Sequence, residues 1–172
     1  MTVKTSARVA GFTFLLYIVA GIASMAVRGP ISSVLTLLTS FCALVLGVTL
    51  YALTREQDRD LALLGMLCRV IEAVPGHGGA AIFFAVGSTI FAWLLLQGRM
   101  IPLWLARLGV AASAGLVVLL FLQRAGVSTG ASNWSSSLTW VIWFPLLIFE
   151  VTFAIWLILK GVSEPRGAVA SR

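Results

Sequence analysis

The chain has 172 residues, of which 60% are hydrophobic and only 10% are charged, whereas an ordinary soluble domain carries about 25% charged residues. With a mean hydropathy of +1.04, this composition indicates an integral membrane protein and excludes a soluble enzyme or a nucleic-acid-binding domain, despite the net charge of +6. Basic excess in a membrane protein sets its topology and contacts anionic lipid, so we expect membrane lipid as a partner and no nucleic acid.

Apolar stretches of spanning length divide the chain into helices, since one crossing takes about 20 residues. The first stretch follows Lys4 and Arg8 and resembles a signal peptide at first sight. It is longer than the roughly 7 to 15 apolar residues of such a peptide, so we expect it to be retained as a helix. The stretches predict one transmembrane domain over residues 1–172, with six helices at about 9–27, 31–53, 60–74, 79–96, 102–122 and 138–160.

The stretch from Leu61 to Leu96 is too long for a single crossing. As one helix it would measure roughly 54 Å, against a hydrocarbon core of about 30 Å. Its middle reads Pro75-Gly76-His77-Gly78-Gly79, the strongest helix-breaking cluster in the chain. The pattern therefore predicts a short third helix and a fourth helix, joined by a tight turn that contains His77.

The distribution of Lys and Arg supports this division. With six helices and both termini cytoplasmic, nine basic residues fall on the inner side and two on the outer side; with the long stretch as one crossing, the ratio is five to six. Basic residues accumulate in cytoplasmic loops. We therefore predict an all-α bundle of six transmembrane helices with both termini cytoplasmic, and a flexible, uncharged outer loop over residues 125–137.

Small and hydroxyl residues form stripes along several predicted helices, where they allow close backbone approach. We interpret these stripes as packing seams, with a polar path as the alternative. Helix 1 carries Tyr17 and Ser24 on one side, and helix 2 carries a stripe that consists of Ser33, Thr36, Ser40, Ala43 and Gly47.

Three ionisable residues lie within the predicted helices: Arg69, Glu72 and Glu150. Such residues tend to face the interior of a bundle and to mark function. Arg69 and Glu72 are three residues apart, so they share a helix face and can form an ion pair. Helical rise puts Glu72 about 18 Å and Glu150 about 15 Å from the inner ends of their helices, which predicts similar depths for the two carboxyls.

Glu150 lies on a stripe of helix 6 that also carries Trp143 and Thr139, with Pro145 between them as an expected kink. A charge at the centre of a crossing costs roughly 2.5 to 3.5 kcal/mol. We therefore expect Glu150 to be largely protonated near neutral pH and to border a cavity that is reachable from the membrane. The alternative is structural, with Arg69 and Glu72 as a fixed pair and Glu150 as a neutral hydrogen-bonding link between helices.

The sequence does not support a metal, haem or phosphate-binding site. His77 is the only histidine, so no histidine-based metal or haem site is predicted, and we expect no cofactor. The glycines around His77 lack the Lys-Ser/Thr of a phosphate-binding loop. Cys42 and Cys68 fall in apolar runs, where a thiol behaves as a small hydrophobic group.

Five segments together resemble a known family. They are Arg8-Val9-Ala10-Gly11, Leu50-Tyr51-Ala52-Leu53, Arg69-Val70-Ile71-Glu72-Ala73, Ile101-Pro102-Leu103-Trp104-Leu105-Ala106, and Glu150 with Trp156 to Gly161. In order and spacing they are similar to the bacterial membrane proteins grouped as domain of unknown function 4386. The resemblance implies a multi-helix protein of the bacterial cytoplasmic (inner) membrane, with Arg-x-x-Glu as its most distinctive element and no assigned activity.

Three functions are consistent with these features. The first is a binding or transport protein for a small apolar or amphiphilic ligand, with Arg69, Glu72, Trp143 and Glu150 as binding residues. The second is an intramembrane enzyme of the isoprenoid cyclase type, with Glu72 or Glu150 as the catalytic acid and Trp93, Trp143 and Phe149 stabilising a cation. The third is a structural subunit, in a homo-oligomer or a membrane complex.

Overall fold

A computed structural model describes residues 2–74, 76, 78–127 and 137–163. The predicted turn residues Pro75 and His77 and most of the predicted outer loop lie outside these ranges. The described residues form six helices and no strand, which confirms the all-α fold. The helices are α1 (Val3–Ala26), α2 (Pro30–Thr54), α3 (Arg59–Glu72), α4 (Ala80–Gln97), α5 (Leu103–Arg124) and α6 (Ser137–Leu159).

The helix bounds follow the apolar stretches closely, except at the start of α1. This helix begins at Val3 rather than near residue 9, because the side chain of Thr2 accepts a hydrogen bond from the backbone amide of Thr5 and caps it. Its first two turns carry Lys4 and Arg8, which a search for charge-free stretches omits. Asp58 caps α3 in the same way, by accepting from the amide of Leu61.

Five of the six helices among the described residues are long and apolar enough to cross a membrane, and α3 is the exception. Large apolar side chains are exposed along the outside of the bundle, including Phe12, Val19, Val34 and Phe41. An apolar outer surface is what lipid requires. The protein is therefore a multi-pass membrane protein. The 14 residues of α3 span only about 21 Å at the helical rise of 1.5 Å per residue.

The six helices form a closed ring. Each helix packs against the next one in the sequence, and α6 packs against α1. α1 and α6 are in close contact in the first half of α1, where a Cβ added at Gly11 would lie 2.7 Å from the carbonyl oxygen of Ala154. The rings of Phe14 and Phe153 meet edge to face next to this contact. Among the described residues, α3 and α6 do not pack directly against each other, so they contribute to the ring from separate positions.

The shortness of α3 leaves space inside the ring. α2 has 25 residues and extends well beyond the last residue of α3, Glu72. Gly47 of α2 packs against Met66 and Arg69 of α3, whereas Thr36, Ser40 and Ala43 of α2 face a cavity. The predicted packing seam on helix 2 is seen at Gly47 and at Ala43, which is only 1% exposed although it also lines the cavity. Thr36 and Ser40 border the cavity, where α3 has already ended.

Candidate functional site

Arg69 is a fully buried cation, with an exposed fraction of 0%. Glycines on the two neighbouring helices make room for its side chain. A Cβ at Gly47 of α2 would lie 3.1 Å from the Cβ of Arg69, and a Cβ at Gly87 of α4 would lie 3.8 Å from its Cδ. These small residues allow the long stem of Arg69 to pass between α2 and α4 into the ring.

The guanidinium of Arg69 is held by an ion pair and by aromatic rings. Its Nη1 lies 2.7 Å from Oε2 of Glu72, which confirms the predicted pair. Its Cζ lies 5.0 Å from the ring centre of Phe84, 5.6 Å from that of Tyr17 and 5.9 Å from that of Phe14. Aromatic rings at such distances attract a cation. These three aromatic rings therefore stabilise the charge of Arg69, which is buried away from water.

Tyr17 completes this arrangement from α1. Its hydroxyl donates a hydrogen bond of 2.6 Å to Oε1 of Glu72, so both carboxylate oxygens of Glu72 have a partner. From the sequence, Tyr17 is predicted to belong to a packing stripe, and this role is not predicted. Two signals pointed to it: Phe14 and Tyr17 are three residues apart on one helix face, and a tyrosine hydroxyl inside a membrane helix needs a hydrogen-bond partner.

A cavity of about 370 Å³ opens above this group. Glu72 of α3 and Glu150 of α6 both line it, although their helices do not pack against each other. Three aromatic rings from three helices form one wall. Tyr17 stacks on Phe84 with ring centres 6.1 Å apart, and Phe84 stacks on Trp143 with ring centres 5.7 Å apart.

Hydroxyl groups of α1 and α2 also line the cavity. They belong to Ser24, Thr36, Thr39 and Ser40. Three of them donate to carbonyl oxygens of their own helix: Ser24 to Gly21, Thr36 to Ser32 and Thr39 to Leu35. Their protons are thus engaged, and what they offer to the cavity is oxygen lone pairs.

Glu150 differs from Glu72 in its contacts. It is only 5% exposed, and its Oε1 has no hydrogen-bond partner in the described part of the chain. Its carboxyl interacts electrostatically with Arg69 and Glu72. A buried polar atom without a partner is costly and calls for a functional explanation. Nε and Nη2 of Arg69 also have no hydrogen-bond partner among the described residues, but Arg69 does not line the cavity. Glu150 is therefore the unsatisfied group that the cavity itself presents.

The cavity is open where large apolar residues are exposed at the end of α1 and the start of α6. Ile22 and Met25 of α1 and Trp140 and Phe144 of α6 line the cavity, and their exposed fractions lie between 44% and 58%. These four residues, the mouth, lie at the end of the bundle opposite the contact between Gly11 and Ala154. The two helices are in contact at one end and leave an opening at the other.

The other residues singled out from the sequence lie in different parts of the fold. Trp143 lines the cavity, whereas Trp93 and Phe149 are absent from its described lining. Phe149 instead stacks on Phe153 in the core. Pro145 lies inside α6 as expected, and Cys42 and Cys68 are buried free thiols. No metal-binding group of His, Cys, Asp or Glu occurs among the described residues.

Fold and site together define a multi-pass helical membrane protein with a charged cavity inside its ring of helices. The chain belongs to the family described as Domain of unknown function (DUF4386), whose profile matches residues 75–161, just over half of the sequence. The match includes Glu150 and the segment from Ile101 to Ala106, while Arg69 and Glu72 precede it. Comparison with curated proteins and with solved structures found no match.

Proposed function

We propose that this protein binds a small amphiphilic molecule that enters from the bilayer, and that binding is a step in moving that molecule through the membrane. The observation that carries the proposal is the convergence of Glu72 and Glu150 on one cavity. Ligand sites are concave and mostly apolar, with volumes of roughly 300 to 1,000 Å³ and a few polar groups that orient the ligand. The cavity has these properties.

The mouth supports a route from the membrane. A ligand in the acyl-chain region would meet Ile22, Met25, Trp140 and Phe144 before any charged group. Its apolar part would remain among these side chains, and its polar end would reach the carboxyl of Glu150. We further propose that the membrane is the bacterial cytoplasmic membrane, which the resemblance to bacterial membrane proteins and the excess of basic residues on the predicted inner side support.

A second candidate function is an intramembrane enzyme that uses carboxylic-acid catalysis. It is favoured by the position of Trp143 in the same cavity as Glu150, since a buried acid can donate a proton and an aromatic ring can stabilise the resulting cation. Trp93 and Phe149, the other aromatic residues expected for such a reaction, lie outside the described lining. The binding proposal requires only the groups that the cavity contains, so we prefer it.

The test is chemical modification of Glu150 in native membranes with dicyclohexylcarbodiimide, a small hydrophobic reagent, followed by peptide mass spectrometry. We expect Glu150 to be labelled, and labelling to decrease as the pH rises, because carbodiimides react with the protonated acid. Decanol, as an amphiphilic probe, should slow the labelling by occupying the cavity. Glu150→Gln should leave no label at this position.

Two glycines provide a matched pair of variants. A Cβ at Gly21 of α1 or at Gly115 of α5 would meet no atom within 4 Å, but only Gly21 lines the cavity. We expect Gly21→Leu to fill the cavity and to reduce labelling about tenfold or more, in line with loss of a preformed apolar site. Gly115→Leu should label like the wild type. An inert Glu150, or equal labelling of the two variants, would contradict the proposal.

A further inference from the structure

We propose that the ligand is a lipophilic monocation, such as an alkylammonium, whose charged group is bound by the carboxylate of Glu150. This inference rests on the proposed function, because it names the class of molecule that the same cavity takes. It follows from the charge of the lining, from the unsatisfied state of Glu150, and from the aromatic and hydroxyl groups around it.

The described lining of the cavity is acidic. Its only charged residues are Glu72 and Glu150, and it contains neither Lys nor Arg. Arg69 lies behind the lining with an exposed fraction of 0%. The guanidinium of Arg69 compensates the charge of Glu72, to which Tyr17 also donates a hydrogen bond. One acidic group, Glu150, therefore remains for the ligand.

The unsatisfied oxygen of Glu150 favours a cation over other ligands. A buried carboxylate needs an opposite charge or hydrogen-bond donors close by. A primary ammonium group in the cavity would supply both and a quaternary ammonium would supply the charge, whereas an anionic ligand would face two carboxyl groups. A neutral alcohol would leave Glu150 as the neutral acid and would contribute a hydrogen bond without any charge attraction.

The aromatic rings and the hydroxyl groups of the lining also favour a cationic ligand. The stacked rings of Tyr17, Phe84 and Trp143 line the cavity, and the rings of Tyr17 and Phe84 already stabilise the guanidinium of Arg69. Aromatic rings bind quaternary ammonium groups through the same attraction. The hydroxyls of Ser24, Thr36 and Thr39 present lone pairs rather than protons, which also favours a positively charged ligand.

Binding of the cation would exchange it for the proton of Glu150. The O–H bond of the carboxylic acid breaks, the proton leaves to the buffer, and the carboxylate pairs with the ligand. The groups that interact electrostatically with Glu150 are Arg69 and Glu72 from α3 and Tyr17 from α1. The basic residues of α5, Arg107 and Arg124, are exposed. One proton should therefore be released for each cation bound.

The experiment compares three probes with the same chain length, which are decyltrimethylammonium, decanol and decanoate. Each competes with tritiated decyltrimethylammonium for the purified protein in lipid nanodiscs. We expect the cation to bind about tenfold more tightly than decanol, equivalent to about 1.4 kcal/mol, and decanoate to bind weakest. A pH indicator in weak buffer should report one proton released for each cation bound. Glu150→Gln should abolish the release and bring cation and alcohol to similar affinities, whereas Glu150→Asp should retain part of the preference.

The outcomes separate this inference from the proposed function. If decanol or decanoate binds as well as the cation, and Gly21→Leu blocks the binding while Gly115→Leu does not, the cavity is a ligand site but the cation preference is wrong. If none of the probes binds to the wild type, both proposals fail. The relative affinities of the three probes for the wild type test the cation preference even if Glu150→Gln does not fold.

Discussion

The two carboxyls of the cavity have different surroundings, and this difference assigns them different roles. Glu72 has both oxygens engaged, one by Arg69 and one by Tyr17, so its main role is to keep a buried cation in place. Glu150 has an oxygen without a partner at the same cavity. Under the proposed function, Glu72 stabilises the buried Arg69 and Glu150 is the carboxyl that is available to a ligand.

The ion pair of Arg69 and Glu72 can be tested with a double-mutant cycle. Removal of one partner leaves the other charge buried alone, which costs roughly 3 to 5 kcal/mol. We expect Glu72→Gln and Arg69→Met each to lower the thermal stability in detergent strongly, and the double variant to recover part of the loss. Simple additivity of the two changes would show that the pair does not contribute as a unit.

Two features of the helices determine where the ring is closed and where it is open. Gly11 allows α1 to approach α6 near Ala154 and Ile158, which closes one end of the interface between these helices. The early end of α3 at Glu72 leaves the outer half of α2 uncovered. The early end of α3 thus leaves room for the cavity. The contact at Gly11 closes the interface between α1 and α6 at the other end of the bundle.

The contact at Gly11 has a control on the same helix. Gly11→Ala would put its Cβ 2.7 Å from the Ala154 carbonyl oxygen, whereas a Cβ at Gly21 would meet nothing within 4 Å. We expect Gly11→Ala to destabilise the protein by roughly 1 to 3 kcal/mol through overpacking. Gly21→Ala should be neutral or stabilising, since both changes gain the same helix propensity. Equal melting temperatures of the two variants would rule out a tight contact between α1 and α6.

The distribution of basic residues predicts the orientation of the whole molecule in the membrane. Nine basic residues lie on the predicted inner side and two on the outer side, and this asymmetry favours cytoplasmic termini. In that orientation the mouth lies in the outer half of the membrane, because it is formed by the end of α1 and the start of α6. A ligand would therefore enter from the outer leaflet.

Reporter fusions test this orientation. An alkaline phosphatase reporter fused after Gly126 should be active, since this position is predicted to be outside, and the same reporter after Gly161 should be inactive. A green fluorescent protein reporter should give the reverse result at both positions. An external signal after Gly161 would contradict the predicted topology of six crossings with both termini cytoplasmic.

The class of the protein and the bounds of its helices, apart from the start of α1, were predictable from the sequence. Lipid imposes a long apolar stretch on each crossing, and Pro75 with its neighbouring glycines interrupts the one stretch that is too long. The pair of Arg69 and Glu72 was equally predictable, because residues three apart on a helix are neighbours whatever the helix packs against. All of these are local properties, which depend on residues close together in the chain.

The site itself was decided by the tertiary structure. Glu72 and Glu150 share a cavity because the ring brings α3 and α6 around the same space, and no spacing in the sequence encodes that meeting. The same holds for Tyr17, which reaches Glu72 from α1, and for Gly47 and Gly87, which make room for Arg69. Contacts between distant segments depend on which faces of the helices meet, and this is determined only when all six helices pack together.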